Sequence, residues 1–304
     1  MPEVSVLLPV RDGARTLALA MLSVLEQSFR DFELLVLDDG SADASAEIAR
    51  RFGDPRVRVL RDGAKRGLAA RLNQGIDAAA GRYIARMDAD DVCWRERLAH
   101  QVARLNRETA LDLLACRVLD FDDRGRVTGL RPYRLDHAAL CAQPWNGFYL
   151  VHPSWIGRAD WFRRHRYRTP ELARAQDQEL LLRAYPQSRF AVLDEILLGY
   201  RAAPLALGKL LAARRCLLGA QLAQFSQRGQ WGFLLLALAA TGAKLTRDLL
   251  QRALPRPGVR SGIPPDIAAR WAEWLGFLQA RLAQLELPPG LESIDLPRKP
   301  SGAS

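Results

Sequence analysis

The sequence has few cysteines and no basic segment before its first apolar run. Its four cysteines, Cys93, Cys116, Cys141 and Cys216, are widely spaced and form no CxxC pair. Neither a zinc knuckle nor a disulfide framework is indicated, and a reducing cytosol suits such a chain. The first apolar run follows no basic segment and stops at Pro9, which makes it too short for a signal peptide. We therefore predict a cytoplasmic location and interpret this run as a first strand.

The sequence also lacks a hydrophobic run long enough to span a membrane. Its most apolar stretch, residues 231–240, has about half of the roughly 20 residues that a spanning helix needs. Lysines and arginines follow this stretch, a pattern typical of helices that lie on anionic lipid. Two interpretations stay open: a peripheral contact with an anionic membrane surface, on the inner face of the plasma membrane, and a helix packed in a C-terminal bundle.

The charge of the chain is strongly one-sided. The formal net charge is +10 and the pI is about 10.0. Such a surface suits phosphates, anionic headgroups or nucleic acid, although charge also serves solubility alone. The arginines are dispersed rather than clustered with aromatic residues, and no zinc-finger, RRM or KH signature is present. We therefore expect no nucleic acid partner.

The first part of the chain, to about Leu119, alternates short β-rich segments with longer helical ones. We predict strands at residues 4–9, 33–37, 57–60, 83–87 and 111–115, and helices at residues 14–27, 43–51 and 68–80. This alternation is typical of βαβ units. It predicts an α/β fold of Rossmann-like, nucleotide-binding character, in which a mainly parallel sheet is flanked by helices.

The pattern changes after residue 120. The segment FDDRGRV is typical of a tight hairpin turn, and from residue 205 onward the apolar period is helical. Prolines at Pro255 and Pro264 break this helical region, which ends in a polar, proline-rich tail. We predict a catalytic domain at residues 1–203 and an α-helical C-terminal region with a frayed tail at residues 204–304.

Acidic residues follow two of the predicted strands. Asp38 and Asp39 end the second strand, and Asp88, Asp90 and Asp91 end the fourth. Ligands of open parallel sheets bind outside the carboxyl ends of the strands, so we expect both groups to face one crevice. Oxygen ligands suit Mn²⁺ or Mg²⁺, and no basic residue in the motif neutralises the second group. A solvated acidic turn is the alternative interpretation.

Four consecutive segments carry a more specific signal. They are VSVLLPVRDG, SVLEQSF, FELLVLDDGSADAS and RGLAARLNQGIDAAAGRYIARMDADD. In this order they resemble the N-terminal half of the family 2 glycosyltransferases, over about residues 3–201. The resemblance implies a GT-A-type fold and an inverting, metal-dependent transfer from a nucleotide-sugar donor.

The same resemblance implies a nucleotide site. Pro9 and Val10 would pack on the nucleotide base, and Asp39 would bind its polar edge. Arg66 and Gly67 would lie near the nucleotide.

It also implies a metal and sugar site. Asp88 would contact the ribose, and Asp90 would hold Mn²⁺ or Mg²⁺ on the diphosphate. Asp91 is a third acid, and His152 belongs to an H-P-S stretch that lies near the acceptor or the donor sugar in the family.

The segment ARAQDQELLLRA resembles the family segment whose second acid is the general base. Asp177 stands at that position, whereas Gln176 replaces the first acid. A carboxylate within reach of the acceptor hydroxyl accepts its proton as the new bond forms. Judged locally, Asp177 can equally cap a helix. Alanines follow Arg201 where the family often has a histidine, so a third protein ligand to the metal is not implied.

We therefore predict transfer from a UDP-sugar to a glycan or lipid-linked acceptor, in cell-envelope or exopolysaccharide biosynthesis. The acceptor class is suggested by the basic, helical C-terminal region, with which soluble acceptors are equally compatible. Gln176 and the absent histidine leave a second hypothesis open, a catalytically silent scaffold that binds a nucleotide-sugar. A nucleotidyltransferase is a third hypothesis. The chain reads PVRDGAR after the first strand, without the glycine-rich basic loop usual in that class.

Overall fold

The computed structural model describes residues 1–170, 172–202, 206–253 and 263–285. Within these ranges nine strands form one sheet, with helices on both of its faces. The predicted domain boundary at 203, the helix break at Pro255 and the frayed tail lie outside the described residues.

The elements follow the predicted alternation along the chain. The strands are β1 (Val4–Val10), β2 (Phe32–Asp38), β3 (Val57–Leu60), β4 (Tyr83–Arg86), β5 (Val92–Cys93), β6 (Leu113–Phe121), β7 (Val127–Leu130), β8 (Ile156–Arg158) and β9 (Phe190–Arg201). The helices are α1 (Ala14–Leu25), α2 (Ser45–Arg51), α3 (Leu68–Ala78), α4 (Arg97–Arg107), α5 (His137–Cys141), α6 (Ala159–Arg164), α7 (Gln176–Ala184), α8 (Leu207–Gln227), α9 (Trp231–Ala253) and α10 (Pro265–Leu282). Short 3₁₀ turns lie at Pro144–Asn146, His152–Ser154 and Tyr185–Gln187.

The sheet has a parallel half and a mixed half. Its strand order is β3-β2-β1-β4-β8-β6-β9-β5, and β7 pairs with β6. The first four strands in this order are parallel to one another, whereas β8 runs antiparallel to both of its neighbours. The α/β architecture and the hairpin at FDDRGRV, which joins β6 to β7, are both confirmed.

The parallel strands are buried on both faces. Val4, Val6 and Leu8 of β1 enter the core on the side of α1, and Leu7 enters the opposite core on the side of α3. Because both faces are covered, these strands are almost continuously apolar rather than alternating. The cysteines are all free, as predicted.

Strand register brings the predicted acids to one edge of the sheet. Val10 pairs with Asp38, and Leu7 pairs with Arg86, two residues before Asp88. The backbone N–H of Asp39 also donates to the carbonyl of Val10 at 2.9 Å. The carboxyl ends of β1, β2 and β4 therefore meet, as the parallel pattern predicts.

The described part of the C-terminal region is helical, as predicted, and packs on the α/β body. The α8–α9 hairpin contacts α7 and the 3₁₀ turn Pro144–Asn146, while α10 contacts α1. Trp271 of α10 is buried, and its Nε1 donates to the carbonyl of Gly125 at 2.8 Å. Within the described ranges, every helix is too short or too polar to cross a membrane.

Candidate functional site

A cleft of about 540 Å³ opens at the carboxyl end of β4. It is lined by Asp88, by residues 148–153 and by the first turn of α7, which carries Asp177. Asp88, His152 and Asp177 therefore share one cavity, although they are far apart in the sequence. Such a concave site with several convergent polar groups is the usual form of a small-ligand site.

Three carboxylates crowd the turn after β4. One oxygen each from Asp88, Asp90 and Asp91 lies within 4.8 Å of the others. Asp91 is 1% exposed, and its Oδ1 accepts a hydrogen bond from the backbone N–H of Arg201 at 2.9 Å. Burial, with the charges of Asp88 and Asp90, holds the pKa of Asp91 well above its usual range. The cluster therefore carries more negative charge than its surroundings neutralise.

The donor set of this cluster fits a hard divalent cation. Asp91 Oδ2 is buried and has no hydrogen-bond partner within the described part of the chain. Mg²⁺ and Mn²⁺ prefer carboxylate oxygens and complete their shell with phosphate oxygens and water. Asp88, Asp90 and Asp91 are thus the residues that would hold such an ion.

The acidic motif itself holds no basic residue, but two arginines from outside it contact this cluster. Arg86 on β4 is 3% exposed, and its Nη2 contacts Asp88 Oδ1. Arg201 at the end of β9 donates from Nε to the carbonyl of Asp90 at 3.0 Å. Arg86 lies two residues before Asp88, and side chains two apart on a strand share a face. The charged Arg86 inside the apolar run RYIARM could therefore have been identified from the sequence as a partner of Asp88.

We expect the Arg86→Met substitution to lower the free energy of unfolding by about 3 kcal/mol, because the partly buried Asp88 and the buried Asp91 would lose their counter-charge. Urea unfolding of the protein without added metal measures this. Arg164→Met is the matched control, since Arg164 pairs with Asp160 where both side chains are more than half exposed. Exposed pairs contribute about 0–1 kcal/mol. Equal losses in the two variants would contradict the role assigned to Arg86.

The predicted nucleotide residues Asp39, Arg66 and Gly67 lie together at the end of β2. Asp39 Oδ1 accepts hydrogen bonds from the backbone N–H of Arg66 at 2.7 Å and of Gly67 at 3.1 Å. The buried Arg71 donates from Nε to the same oxygen at 3.1 Å. Gly67 has a φ of 89°, which favours glycine at this position. Asp39 thus holds the loop that precedes α3, and its role toward a base stays a prediction.

Pro9 and Val10 lie at the end of β1, beside Asp39. Both are buried, and Val10 packs in the core on the side of α1. The structure therefore places them at the predicted edge of the sheet. Their contact with a base stays a prediction.

Asp177 lies in the first turn of α7 and is half-buried in the cleft wall. Burial raises the pKa of its carboxyl, and the main nearby donor is Gln178 Nε2 at 3.3 Å. Ala175, with a φ of 62°, is the N-cap of the helix, so Asp177 is not the capping residue. The side chain of Gln176 donates to the carbonyl of Leu172 at 2.9 Å. Gln176 therefore anchors the loop before α7.

His152 is held rigidly on the opposite part of the wall. Its Nε2 lies 2.6 Å from the hydroxyl of Tyr167, and its ring contacts Trp155 edge-on with centroids 4.6 Å apart. Burial and the charge of Arg86 hold the pKa of His152 well below its usual range. The imidazole is therefore neutral at neutral pH, and Tyr167 fixes its orientation.

A family model described as "Glycosyl transferase family 2" matches residues 5–166, more than half of the chain. This chain belongs to glycosyltransferase family 2. The matched residues include β1, β2, the acidic turn after β4 and His152.

Curated relatives of this family 2 glycosyltransferase match it over part of their length. The provisionally named glycosyltransferase EpsE of Bacillus subtilis is 36% identical over 133 residues, 43% of this chain and 48% of that protein. WfgD of Escherichia coli, named as a UDP-Glc:α-D-GlcNAc-diphosphoundecaprenol β-1,3-glucosyltransferase, is 32% identical over 102 residues, 34% of this chain and 40% of that protein. The chain thus spans less than half the length of these two relatives.

Solved structures share the fold of this glycosyltransferase. S. aureus TarS in complex with UDP-GlcNAc has a TM-score of 0.60 at 18% identity, covering 94% of this chain and 84% of that one. The mannosyltransferase PcManGT of Pyrobaculum calidifontis, in complex with GDP-Man and Mn²⁺, has a TM-score of 0.57 at 16% identity, covering 93% and 85%. The likeness confirms the GT-A-type architecture.

The cleft of the glycosyltransferase also contains polar residues that sequence reasoning missed. The guanidinium of Arg131 lies 3.9 Å from the ring centre of Tyr200 and donates from Nε to Asp120 Oδ1 at 2.6 Å. Burial raises the pKa of Tyr200 to about 12. Arg174 lines the same cleft. These residues come from β6, the end of β7, β9 and the loop before α7, and their spacing in the sequence does not predict that they share one cleft.

Proposed function

We propose that this chain transfers a sugar, with inversion, from a UDP-sugar to the hydroxyl of a glycan or lipid-linked acceptor in cell-envelope or exopolysaccharide biosynthesis. The observation that carries the proposal is the single cleft in which Asp88, His152 and Asp177 converge beside the carboxyl ends of β1 and β2. A nucleotide at the strand ends would place its sugar between the acidic turn and Asp177.

Two features support the choice of donor and acceptor. TarS, which shares the fold, was solved with UDP and with UDP-GlcNAc. The name of WfgD specifies a UDP-Glc donor and a diphosphoundecaprenol-linked acceptor. The arginines around the cleft, Arg86, Arg131 and Arg174, also suit an anionic donor.

In the proposed reaction Asp177 accepts the proton of the acceptor hydroxyl as the oxygen attacks the anomeric carbon in line. Burial raises the pKa of Asp177, which makes its carboxylate a stronger base than that of an ordinary aspartate. Arg86 has two buried donor groups, Nε and Nη1, without partners among the described residues. Arg86 also lines the cleft, so its positive charge would attract the phosphates of a donor.

A divalent cation bound by Asp90, with Asp88 and Asp91 beside it, would neutralise the charge that develops on the leaving diphosphate. His152 cannot neutralise this charge itself, because its lowered pKa leaves the imidazole uncharged. His152 would instead shape the sugar end of the cleft together with Tyr167.

We expect UDP with Mn²⁺ to raise the melting temperature of the protein more than GDP, CDP or dTDP does. Ligand at 100 times its Kd stabilises the folded state by about 2.7 kcal/mol, which is a shift of several degrees. A thermal-shift screen with and without Mn²⁺ measures this. A response to every nucleotide alike, or to none, would contradict a UDP-sugar site. Proton NMR of the product then reports whether the anomeric configuration is inverted.

A further inference from the structure

Helix α9 exposes an apolar face to solvent. Trp231, Leu235, Leu238 and Leu249 are separated by four, three and eleven residues, so they fall on one side of a helix with 3.6 residues per turn. Trp231 and Leu235 are 63% and 66% exposed, and the two other leucines are about half exposed. We call these four residues the outward face. Single exposed leucines are ordinary, whereas a continuous apolar stripe marks an interaction site.

The opposite side of α9 carries its polar contacts to the protein. Lys244 Nζ donates to the carbonyl of Asn146 at 2.6 Å, and Asp248 pairs with Arg214 of α8 at 3.0 Å. Ala237, on the same side, is fully buried. A helix on the surface of a soluble protein normally presents the reverse arrangement, with charges outward and apolar residues inward. Helix α9 therefore packs in the C-terminal bundle and also exposes an apolar surface, so the two interpretations of its sequence do not exclude each other.

Basic residues accompany this apolar surface. Residues 206–253 contain seven lysines and arginines and one acid, Asp248. Lys209, Arg215 and Arg247 are exposed, and α8 adds exposed leucines at Leu207 and Leu211. Helices with an apolar face and flanking basic residues lie in the plane of anionic bilayers.

We infer that the outward face of α9, with the exposed leucines of α8, lies in the interface of an anionic lipid bilayer. Helix α9 has 23 residues and is about 34 Å long, enough to rest along the surface. A second copy of the chain fits less well. In a twofold dimer the same patch meets itself, so the exposed basic residues would approach their own like charges.

Docked in this way, helix α9 would lie between the bilayer and the segment that leads to the cleft. Helix α9 contacts the turn Pro144–Asn146, and Gln221 of α8 donates to the carbonyls of Pro144 and Trp145. Residues 148–153, which follow directly, line the cleft. The lipid-binding inference rests on α8 and α9 alone and stands whether or not the proposed transfer is correct, although it suits a lipid-linked acceptor.

The test is co-sedimentation of the full chain with vesicles of phosphatidylcholine and with vesicles that also contain phosphatidylglycerol. We expect binding to the anionic vesicles, weakened at least about tenfold by Leu235→Glu. Leu135→Glu is the matched control, because Leu135 is 43% exposed on the α/β body and should leave binding unchanged. Arg215→Gln and Arg247→Gln should each weaken binding about fivefold. Circular dichroism and nucleotide-induced thermal shift confirm that each variant is folded.

Two outcomes would overturn the inference. One is a wild-type protein that ignores anionic vesicles or binds them as tightly as the Leu235→Glu variant does. The other is a dimer in sedimentation equilibrium that Leu235→Glu dissociates, which would assign the outward face to a second copy of the chain. Loss of vesicle binding with unchanged transfer to a water-soluble acceptor would separate this inference from the proposed reaction.

Discussion

The Asp177→Asn variant is expected to bind the UDP-sugar as the wild type does and to transfer the sugar about 10²–10⁴-fold more slowly. Asparagine keeps the size of the side chain and its contact with Gln178, but it cannot accept the acceptor proton. Single-turnover kinetics measure the transfer rate, and thermal shift by UDP measures donor binding. A variant that transfers at the wild-type rate would remove Asp177 from the reaction.

Asp160→Asn is the matched control for this variant. Asp160 also lies in the first turn of a helix, α6, but its side chain is 61% exposed, and the preceding Ala159 contacts Arg82 at the start of β4, whereas the acidic turn follows the end of that strand. Both substitutions remove one negative charge from a helix N-terminus, an effect of about 0.3–1 kcal/mol on stability. If helix capping explained Asp177, the two variants would behave alike. We expect only Asp177→Asn to lose transfer.

The raised pKa of Asp177 adds a pH signature. Since the base must be ionised, kcat/KM of the wild type should fall as the pH drops through the raised pKa, above the ordinary value of 3.8. Stability should change in the opposite sense. Folding disfavours the ionised carboxylate, so Asp177→Asn should be the more stable protein at neutral pH, and this gain should vanish as the pH falls toward 3.8.

The parallel half of the fold was predictable because its signals are local. The strands of the βαβ units are apolar runs bounded by turns, and the acids Asp38, Asp39 and Asp88 lie within two residues of the strand ends. Parallel pairing then brings the strand ends together without further information. The mixed half was not predictable in this way. Strand β8 has three residues, and its position between β4 and β6 depends on contacts distant in sequence.

The residues of the site likewise divide into those that the sequence predicted and those that it did not. Residues that belong to motifs, such as Asp88 and Asp177, were named from the sequence and lie in one cleft. Arg86 and Tyr167 were missed because their roles depend on burial and on contacts that the sequence does not show. Arg86 contacts Asp88, two residues away, and Tyr167 contacts His152, 15 residues away. A buried arginine is meaningful only once the charges around it are known. The engagement of Asp39 by Arg71, across 32 residues, is likewise visible only in three dimensions.

The Asp90→Ala variant is expected to lose Mn²⁺-dependent transfer by about 10³-fold or more, because the leaving diphosphate would lose several kcal/mol of charge stabilisation. Asp90 differs from its neighbours in being exposed to solvent, so truncation creates no buried cavity. Partial desolvation of its carboxylate, with the charge of Asp88, nevertheless raises the pKa of Asp90. Removing one of three repelling carboxylates should therefore leave the metal-free protein at least as stable as the wild type.

This combination separates a metal ligand from a structural acid. We expect the melting temperature of Asp90→Ala without metal to equal or exceed that of the wild type, while the stabilisation by Mn²⁺ with UDP disappears. Asp194→Ala is the matched control, since Asp194 is an exposed acid of β9 that pairs with Arg117. It should retain both the Mn²⁺ response and transfer. If Asp90→Ala turned over as fast as the wild type but a chelator still abolished the activity, the cation would be assigned to Asp88 and Asp91 instead. If neither the substitution nor the chelator lowered turnover, the three carboxylates would hold no catalytic ion.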